Sequence, residues 1–136
     1  FQASLASQVS DGDVVTALPS LGSPRLFSNG SAFALVKGDG SVLTWGNKAM
    51  GGDSSDAPQI DMDKDVKQVC FTQGAFAALL EGGGVAFWGS EEYGGKGYAV
   101  QEQLTEGVDR IFSTSFAFAA LKSDGSVVAW GHPEFG

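Results

Sequence analysis

Short apolar runs separated by glycine-rich turns make up most of this chain. Residues 117–122 read as a strand that places Phe118 and Ala120 on one face and Ala119 and Leu121 on the other. Both faces are apolar, and a strand of this kind is typical of a sheet with structure packed against each side. We therefore expect both faces to be covered.

A tight turn at Asp124-Gly125 follows this strand, and residues 127–130 form the return strand. Glycine adopts the positive φ angles that such hairpins need, so Asp-Gly between apolar runs is a strong hairpin signal. Asp39-Gly40 and Gly82-Gly83 stand at the corresponding places in two further hairpins. A preceding strand is predicted in each unit, at residues 25–27, 67–70 and 109–112. Each unit then has three strands, and the alternative of a fourth strand in each unit is left open.

The three hairpins form a sequence repeat. Trp45, Trp88 and Trp130 lie 43 and 42 residues apart, and Phe33, Phe76 and Phe118 keep the same intervals. Units of this size cannot bury their own apolar faces and must stack on their neighbours. A tryptophan can also stack on a ligand, but recurrence at one position per unit favours core packing. We expect these six residues to form the repeat core, with Trp130 at the open end of the stack.

Two long polar connections, residues 47–65 and 90–107, are predicted to be surface loops, with one short element at residues 100–104. Within the loops, Met50 and Tyr93 occupy the same position, and Phe135 follows in the third unit. An apolar residue in such a loop either packs beneath its own sheet or is exposed as an anchor for a partner. The candidate protein contacts are Met50, Tyr93, His132 and Phe135.

The domain organisation that we predict is an N-terminal segment, 1–22, followed by three repeats at about 23–65, 66–107 and 108–136. Residues 13–18 of that segment could form an edge strand on the first unit or belong to a loosely held terminus. The sequence begins with Phe1 rather than Met, so either a targeting segment has been removed or the sequence starts internally. The compartment stays open, and a plastid location is one of the alternatives.

Composition narrows the class of protein. The 136 residues fit one domain, and 43% apolar residues can support a folded core. A net charge of −8, with only 8 Lys and Arg, argues against nucleic-acid binding. The single Cys70 excludes a disulfide within the chain. No run of about 18 apolar residues is present, so no transmembrane segment is predicted.

Several motifs resemble functional sites without matching them. Residues 61–65 begin like a calcium-binding loop, but Val66 and Thr72 replace the required Gly and Glu. Asn29-Gly30-Ser31 matches a glycosylation site and is more typical of a turn. His132 has no acid–base partner that repeats with it. We therefore predict no catalytic residue, no cofactor and no metal site.

Residues 121–131, Leu-Lys-Ser-Asp-Gly-Ser-Val-Val-Ala-Trp-Gly, resemble the repeat of the regulator of chromosome condensation (RCC1) family. The resemblance covers residues 23–136 and implies blades of a seven-bladed β-propeller. Ala32, Ala75 and Ala117 replace a histidine usual in the family, and the glycine-rich turns after each Trp look most like a variant found in photosynthetic algae. The fold class expected is all-β, an incomplete RCC1-like propeller of three antiparallel blades.

Three units do not close a ring of seven, so we expect either a fragment of a longer chain or a short chain completed by a partner. The hypothesis is a non-catalytic protein-binding or scaffold module, a peripheral subunit of a larger assembly such as an organellar photosynthetic complex at a membrane. Two alternatives follow from the resemblance: a regulator of a small GTPase, resembling an exchange factor, and an enzyme inhibitor. Both activities depend on complete rings in the family, which favours the binding module.

Overall fold

The computed structural model describes residues 23–57, 65–97 and 99–136. Within these residues, nine strands form three separate antiparallel sheets of three strands each, so the all-β prediction is confirmed. The first sheet contains β1 (Arg25–Ser28), β2 (Ala32–Val36) and β3 (Val42–Gly46). The second contains β4 (Val66–Phe71), β5 (Ala75–Leu80) and β6 (Val85–Gly89). The third contains β7 (Val108–Ser113), β8 (Ala117–Lys122) and β9 (Val127–Gly131).

The predicted hairpins join the second and third strands of each sheet. Gly40, Gly83 and Gly125 have φ angles of 89°, 89° and 90°, which explains why glycine stands at each turn. In every sheet the repeated Phe lies opposite the repeated Trp, with the pairs Phe33–Trp45, Phe76–Trp88 and Phe118–Trp130. The rings of each pair stack with centroids 5.3, 5.7 and 5.3 Å apart. The repeat is therefore structural as well as sequential.

The sheets stack in chain order, and two apolar layers separate them. We call the face toward the preceding unit the front and the face toward the following unit the rear. The first layer joins the rear of the first sheet to the front of the second, through Ala34, Val36, Val69, Phe76, Ala78 and Trp88. The second joins the rear of the second sheet to the front of the third, through Ala77, Leu79, Val85, Ile111, Phe118 and Trp130. The middle sheet is covered on both faces.

Two expectations about the third sheet are wrong. None of the described residues covers its rear face: Ala119 and Leu121 are only half-buried, whereas Phe118 and Ala120 on the front are buried. Trp130 is not at the open end, because its ring points forward into the second layer and is only 5% exposed. Alternation along β9 sends Trp130 toward the second sheet, and the residues beside it in sequence face away.

The connections contain only short 3₁₀ turns in the described residues: Lys48–Met50, Ser54–Asp56, Glu91–Tyr93 and Gln101–Leu104. The last is the short element expected near residue 100. Single turns have no periodic pattern, so the sequence did not predict the others. The proposed edge strand at residues 13–18 and the acidic residues 61–64 lie outside the described residues. No helix in the described part of the chain is long and apolar enough to span a membrane.

Candidate protein-binding surfaces

Three equivalent turns position the candidate contact residues after the last strand of each sheet. The backbone N–H of Met50 donates to the carbonyl of Asn47, that of Tyr93 to Ser90, and that of Phe135 to His132, at 3.0–3.1 Å. Gly51 and Gly94 follow the first two with φ angles of 105° and 95°. The shared geometry makes Met50, Tyr93 and Phe135 structural equivalents, and His132 the equivalent of Asn47 and Ser90.

In the first and second sheets, a side chain from the turn after the first strand donates a hydrogen bond to the loop that carries the candidate contact residue. The Asn29 amide donates to the carbonyl of Met50 at 2.9 Å, and the buried Thr72 hydroxyl donates to that of Tyr93 at 2.7 Å. Asn29 Oδ1 also accepts the N–H groups of Ser31 and Ala32. Asn29 therefore builds a turn, as its sequence context favoured. These bonds fix the backbone from which the apolar side chains project.

Met50 and Tyr93 meet above Gly74. A Cβ atom on Gly74 would lie 2.7 Å from the Tyr93 ring and 2.8 Å from Met50 Sδ, so a larger residue there would force these side chains to shift. Both side chains are half-buried, and Tyr93 also packs against the second apolar layer. The two alternatives for these residues are thus combined, because each is partly packed on the stack and partly exposed.

An aromatic cluster continues this line at the third sheet. Phe116 stacks on Tyr93 with centroids 5.8 Å apart and on Phe135 at 5.0 Å. His132 lies 5.0 Å from Phe135 and meets the edge of Phe116 at 6.2 Å. Phe135 is 56% exposed. We call this set the aromatic row: Met50, Tyr93, Phe116, His132 and Phe135. The structure brings all four candidate contacts into it.

The repeat pattern in the sequence does not indicate Phe116 as a contact residue. Phe116 is equivalent to Ser31 and Gly74, because each of the three residues immediately precedes the second strand of its sheet. Both of these equivalents are small. The available signal was this break in the repeat. An aromatic residue that replaces small residues at a repeated position does not serve the shared packing of the units, and such departures indicate a role particular to one unit.

Acidic side chains flank the row. Glu91 and Glu92 are exposed in the turn that ends at Tyr93, and Glu134 is exposed between His132 and Phe135. Lys48, in the turn that ends at Met50, is the equivalent of Glu91 and carries the opposite charge. The end of the row formed by Tyr93, Phe116 and Phe135 is therefore the more acidic one.

The rear face of the third sheet is a second exposed apolar surface. Val127 is 64% exposed and Phe112 is 49% exposed, whereas Val85, the equivalent of Val127 in the second sheet, is 1% exposed. Half-buried or exposed alanines, Ala119 and Ala129, lie between them. A shallow recess of about 200 Å³ opens there and is lined by Phe112, Ala117, Ala119, Ala129, Phe135 and Gly136, among others.

A polar residue repeats at one rear-facing position of each sheet. Arg25 and Gln68 are equivalent by register, since Arg25 pairs with Val36 and Gln68 with Leu79, each three positions after the repeated Phe of its central strand. The Arg25 guanidinium donates to the carbonyls of Val66 and Lys67 in the following sheet, at 2.6 and 3.2 Å. Gln68 exchanges two hydrogen bonds with the backbone of Ile111, at 2.7 and 3.0 Å. Arg110 occupies this position in the third sheet and is exposed.

The predicted core residues occupy two environments. Phe76, Trp88, Phe118 and Trp130 lie in the two layers, and the indoles of Trp88 and Trp130 donate to the carbonyls of Gly51 and Gly94 at 3.1 Å. Phe33 is 39% exposed and Trp45 is half-buried. Phe33 differs from the expectation because it lies on the front of the first sheet, on the side away from the second.

The described residues contain no group of three or more His, Cys, Asp or Glu that could hold a metal ion. Cys70 lies half-buried at the second layer, and burial raises the pKa of its thiol, with hydrogen bonds from Ser113 and Gln68 acting in the opposite direction. A protonated thiol beneath a neighbouring sheet is poorly suited to nucleophilic chemistry. The Nδ1 atom of His132 accepts the backbone N–H of Glu134, which gives it a role in the turn.

No protein-family model and no curated protein matches the sequence. Several solved structures are similar to this chain. The crystal structure of Kap60 bound to yeast RCC1 (Prp20) matches with 17% identity and a TM-score of 0.55, over 74% of this chain and 28% of that chain. The entire ectodomain of the receptor kinase CR4 from Physcomitrella patens matches with 16% identity and a TM-score of 0.54, over 82% of this chain and 30% of that chain.

This chain thus spans about three tenths of the length of the structures it matches. Likeness at such low identity concerns the fold, and it agrees with the three antiparallel sheets and their stacking. The described part of the chain has an RCC1-like, propeller-type repeat fold of three blades.

Proposed function

We propose that this chain is a non-catalytic protein-binding module that docks through the rear face of its third sheet and through the aromatic row. The observation that carries the proposal is the exposure of Val127 and Phe112 at positions that the fold uses for packing in the second sheet. Exposed apolar patches of this kind mark protein interfaces. Burial of both side chains by a partner would remove apolar surface from contact with water and so stabilise the complex.

The chemistry of the rear face indicates what kind of surface a partner presents there. The face is the apolar side of a sheet, with alanines at its centre and a shallow recess beside Phe112, so it suits the apolar face of another sheet. Arg110 adds a specific requirement. Its equivalents donate to backbone carbonyls across the interface, so the partner should offer unpaired carbonyl oxygens opposite this guanidinium.

The finer proposal is a peripheral subunit of a larger assembly, at a membrane complex of a photosynthetic organelle. It is supported by the likeness of the glycine-rich turns to algal repeats and by the acidic charge of the chain. An exchange-factor role at a small GTPase and an inhibitor role are the alternatives. Both rest on the resemblance alone, so the rear face and the row favour neither.

The experiment is affinity purification of the tagged chain from its native source, followed by identification of proteins present in stoichiometric amounts. Val127→Glu and Phe112→Ser alter the rear face at exposed positions, so the fold should tolerate them. Glu81→Gln, in the exposed hairpin of the second sheet, is the matched control. We expect the same partner with the wild type and the control, and its loss with both rear-face variants.

Retention of the partner by both rear-face variants, with unchanged urea unfolding of all four proteins, would remove the rear face from the interface. The identity of the partner decides the finer proposal. A subunit of a photosynthetic complex supports it, whereas a small GTPase or a soluble enzyme would replace it with one of the two alternatives.

A further inference from the structure

We propose that the aromatic row binds an arginine-bearing segment of the partner, with a guanidinium group stacked on the exposed ring of Phe135, which Phe116 supports from its other face. The inference rests on the proposed function, because it names the partner chemistry for one of the two binding surfaces. Three observations carry it: the orientation of the rings, the exposure of Phe135, and the distribution of charge around the row.

The rings form a continuous set of aromatic faces. Tyr93, Phe116 and Phe135 stack in sequence with interplanar angles of 23° and 29°, so their faces are close to parallel. Phe135, at the end of the set, is 56% exposed. Aromatic faces carry negative electrostatic potential and attract cations, and a planar guanidinium stacks on them better than an ammonium group does.

The surrounding carboxylates favour the same ligand. Glu91, Glu92 and Glu134 are exposed beside the Tyr93 and Phe135 end of the row. A guanidinium offers five N–H donors in its plane, so it can stack on a ring while donating to a carboxylate at the edge. An apolar anchor would gain the ring contacts but not the carboxylate contacts. An acidic segment would be repelled by the three carboxylates and by the net charge of −8.

The rest of the row limits where the arginine binds. Lys48 is next to Met50 and would repel a cation at that end. His132 contacts both Phe116 and Phe135, and it supports their orientation from one side. The favoured position is therefore over the Phe135 ring, between the turns that carry Glu92 and Glu134.

The test uses a fluorescently labelled hexa-arginine peptide and a hexalysine peptide of equal charge, with the full chain titrated at physiological salt and binding followed by fluorescence anisotropy. We expect the arginine peptide to bind about tenfold more tightly than the lysine peptide. Phe135→Ser and Phe116→Ser should each weaken arginine-peptide binding about fivefold. Phe116→Ser introduces the residue that the first repeat has at this position, Ser31, so the turn should keep its structure.

Charge controls separate a built site from general attraction to an acidic protein. Glu134→Gln and Glu81→Gln remove the same charge, one beside the row and one in the second-sheet hairpin. We expect only Glu134→Gln to lower the affinity for the arginine peptide, by about threefold. Equal binding of both peptides, or equal effects of the two charge variants, would overturn the inference, because both results are typical of non-specific attraction.

The outcome is distinguishable from that of the proposed function. Loss of the native partner on rear-face substitution, without preference for the arginine peptide, would overturn only this inference. Preference for the arginine peptide, with a native partner that the rear-face variants retain, would support this inference and contradict docking through the rear face.

Discussion

The second and third sheets have almost the same residues on their central strands and differ in what lies behind them. Residues 75–80 read Ala-Phe-Ala-Ala-Leu-Leu and residues 117–122 read Ala-Phe-Ala-Ala-Leu-Lys. In the second sheet all six are buried, whereas in the third the rear-facing Ala119 and Leu121 are half-exposed. Burial in a repeat stack is thus decided by the neighbour, and the local sequence records only the capacity to be buried.

The difference teaches where function resides in such a fold. A residue that the second sheet uses for packing becomes available for binding in the third, without any change in its chemistry. The third sheet also differs from the second at exposed positions. On the rear face Phe112 replaces the smaller Cys70 and Ala129 replaces the larger Phe87, and in the row Phe116 replaces Gly74. The changes at Phe112 and Phe116 enlarge the apolar surface that a partner would contact.

The largest expected effect tests whether the third sheet is as firmly packed on its front as the second. Trp88→Ala and Trp130→Ala should each lower the free energy of unfolding by about 3–5 kcal/mol, because each ring is buried in an inter-sheet layer and its indole N–H is bonded. Urea unfolding followed by circular dichroism measures both losses. A loss below about 1 kcal/mol for Trp130→Ala alone would show that the third sheet frays from the stack.

Two valines provide the most direct comparison of the rear faces. Val85→Ala should cost about 2 kcal/mol, because it removes buried methyl groups from the second layer, and Val127→Ala should change stability by less than about 0.5 kcal/mol. The two substitutions remove the same atoms, so each serves as the control for the other in urea unfolding. Equal costs would mean that the rear of the third sheet is covered in solution by a second molecule.

A smaller difference in stability is expected between substitutions of Gln68 and Arg110, which occupy equivalent positions in the second and third sheets. Gln68→Ala should cost about 1.5 kcal/mol, since it leaves the N–H and carbonyl of Ile111 without their side-chain partner at the interface. Arg110→Ala should leave stability nearly unchanged, because its side chain is exposed. Gln68→Arg is the matched variant, since Arg25 performs the corresponding role in the first sheet. It should retain more stability than Gln68→Ala in the same unfolding experiment.

The sequence predicted most of the fold because the same pattern of strands and turns occurs three times along the chain. The Phe–Trp pairs, the turn glycines and the strand preceding each hairpin are visible as a period of 42 or 43 residues. The sequence did not show which face of each sheet packs against the preceding sheet and which against the following one. The position of Trp130 in the chain predicts that it lies at the open end, whereas strand alternation and the stacking order of the sheets turn its ring toward the second sheet.

The candidate site was predicted in part. Met50, Tyr93, His132 and Phe135 could be named because equivalent loop positions line up in the repeat, and the structure places them in one row. Phe116 could not be found in the same way, since it has no aromatic equivalent in the other units. Arg110 was missed for a different reason. Its role depends on side chains that reach across an interface, and only the contacts of Arg25 and Gln68 reveal it.

The smallest expected effect compares the hairpins of the two sheets. The Ser126 hydroxyl and backbone N–H donate to Asp124 at 2.6 and 2.9 Å and lower the pKa of its carboxyl below the ordinary value. Asp39 and Ser41 repeat this arrangement in the first sheet, and the pKa of Asp39 is lowered in the same way. In the second sheet, Gly82 and Gly83 make the turn instead.

A carboxyl whose pKa is lowered by folding stabilises the folded state above the unfolded pKa, and this contribution is lost as the pH falls through the folded value. Asp124→Asn keeps an acceptor oxygen but removes the titration. The difference in urea midpoint between wild type and Asp124→Asn should therefore be constant near neutral pH and should shrink as the pH falls below about 4. Ser126→Ala, which removes the hydroxyl donor and keeps the carboxyl, should move this change to higher pH. A difference that stays the same down to pH 2 would show that the hairpin carboxylate of the third sheet contributes nothing that the glycine turn of the second sheet lacks.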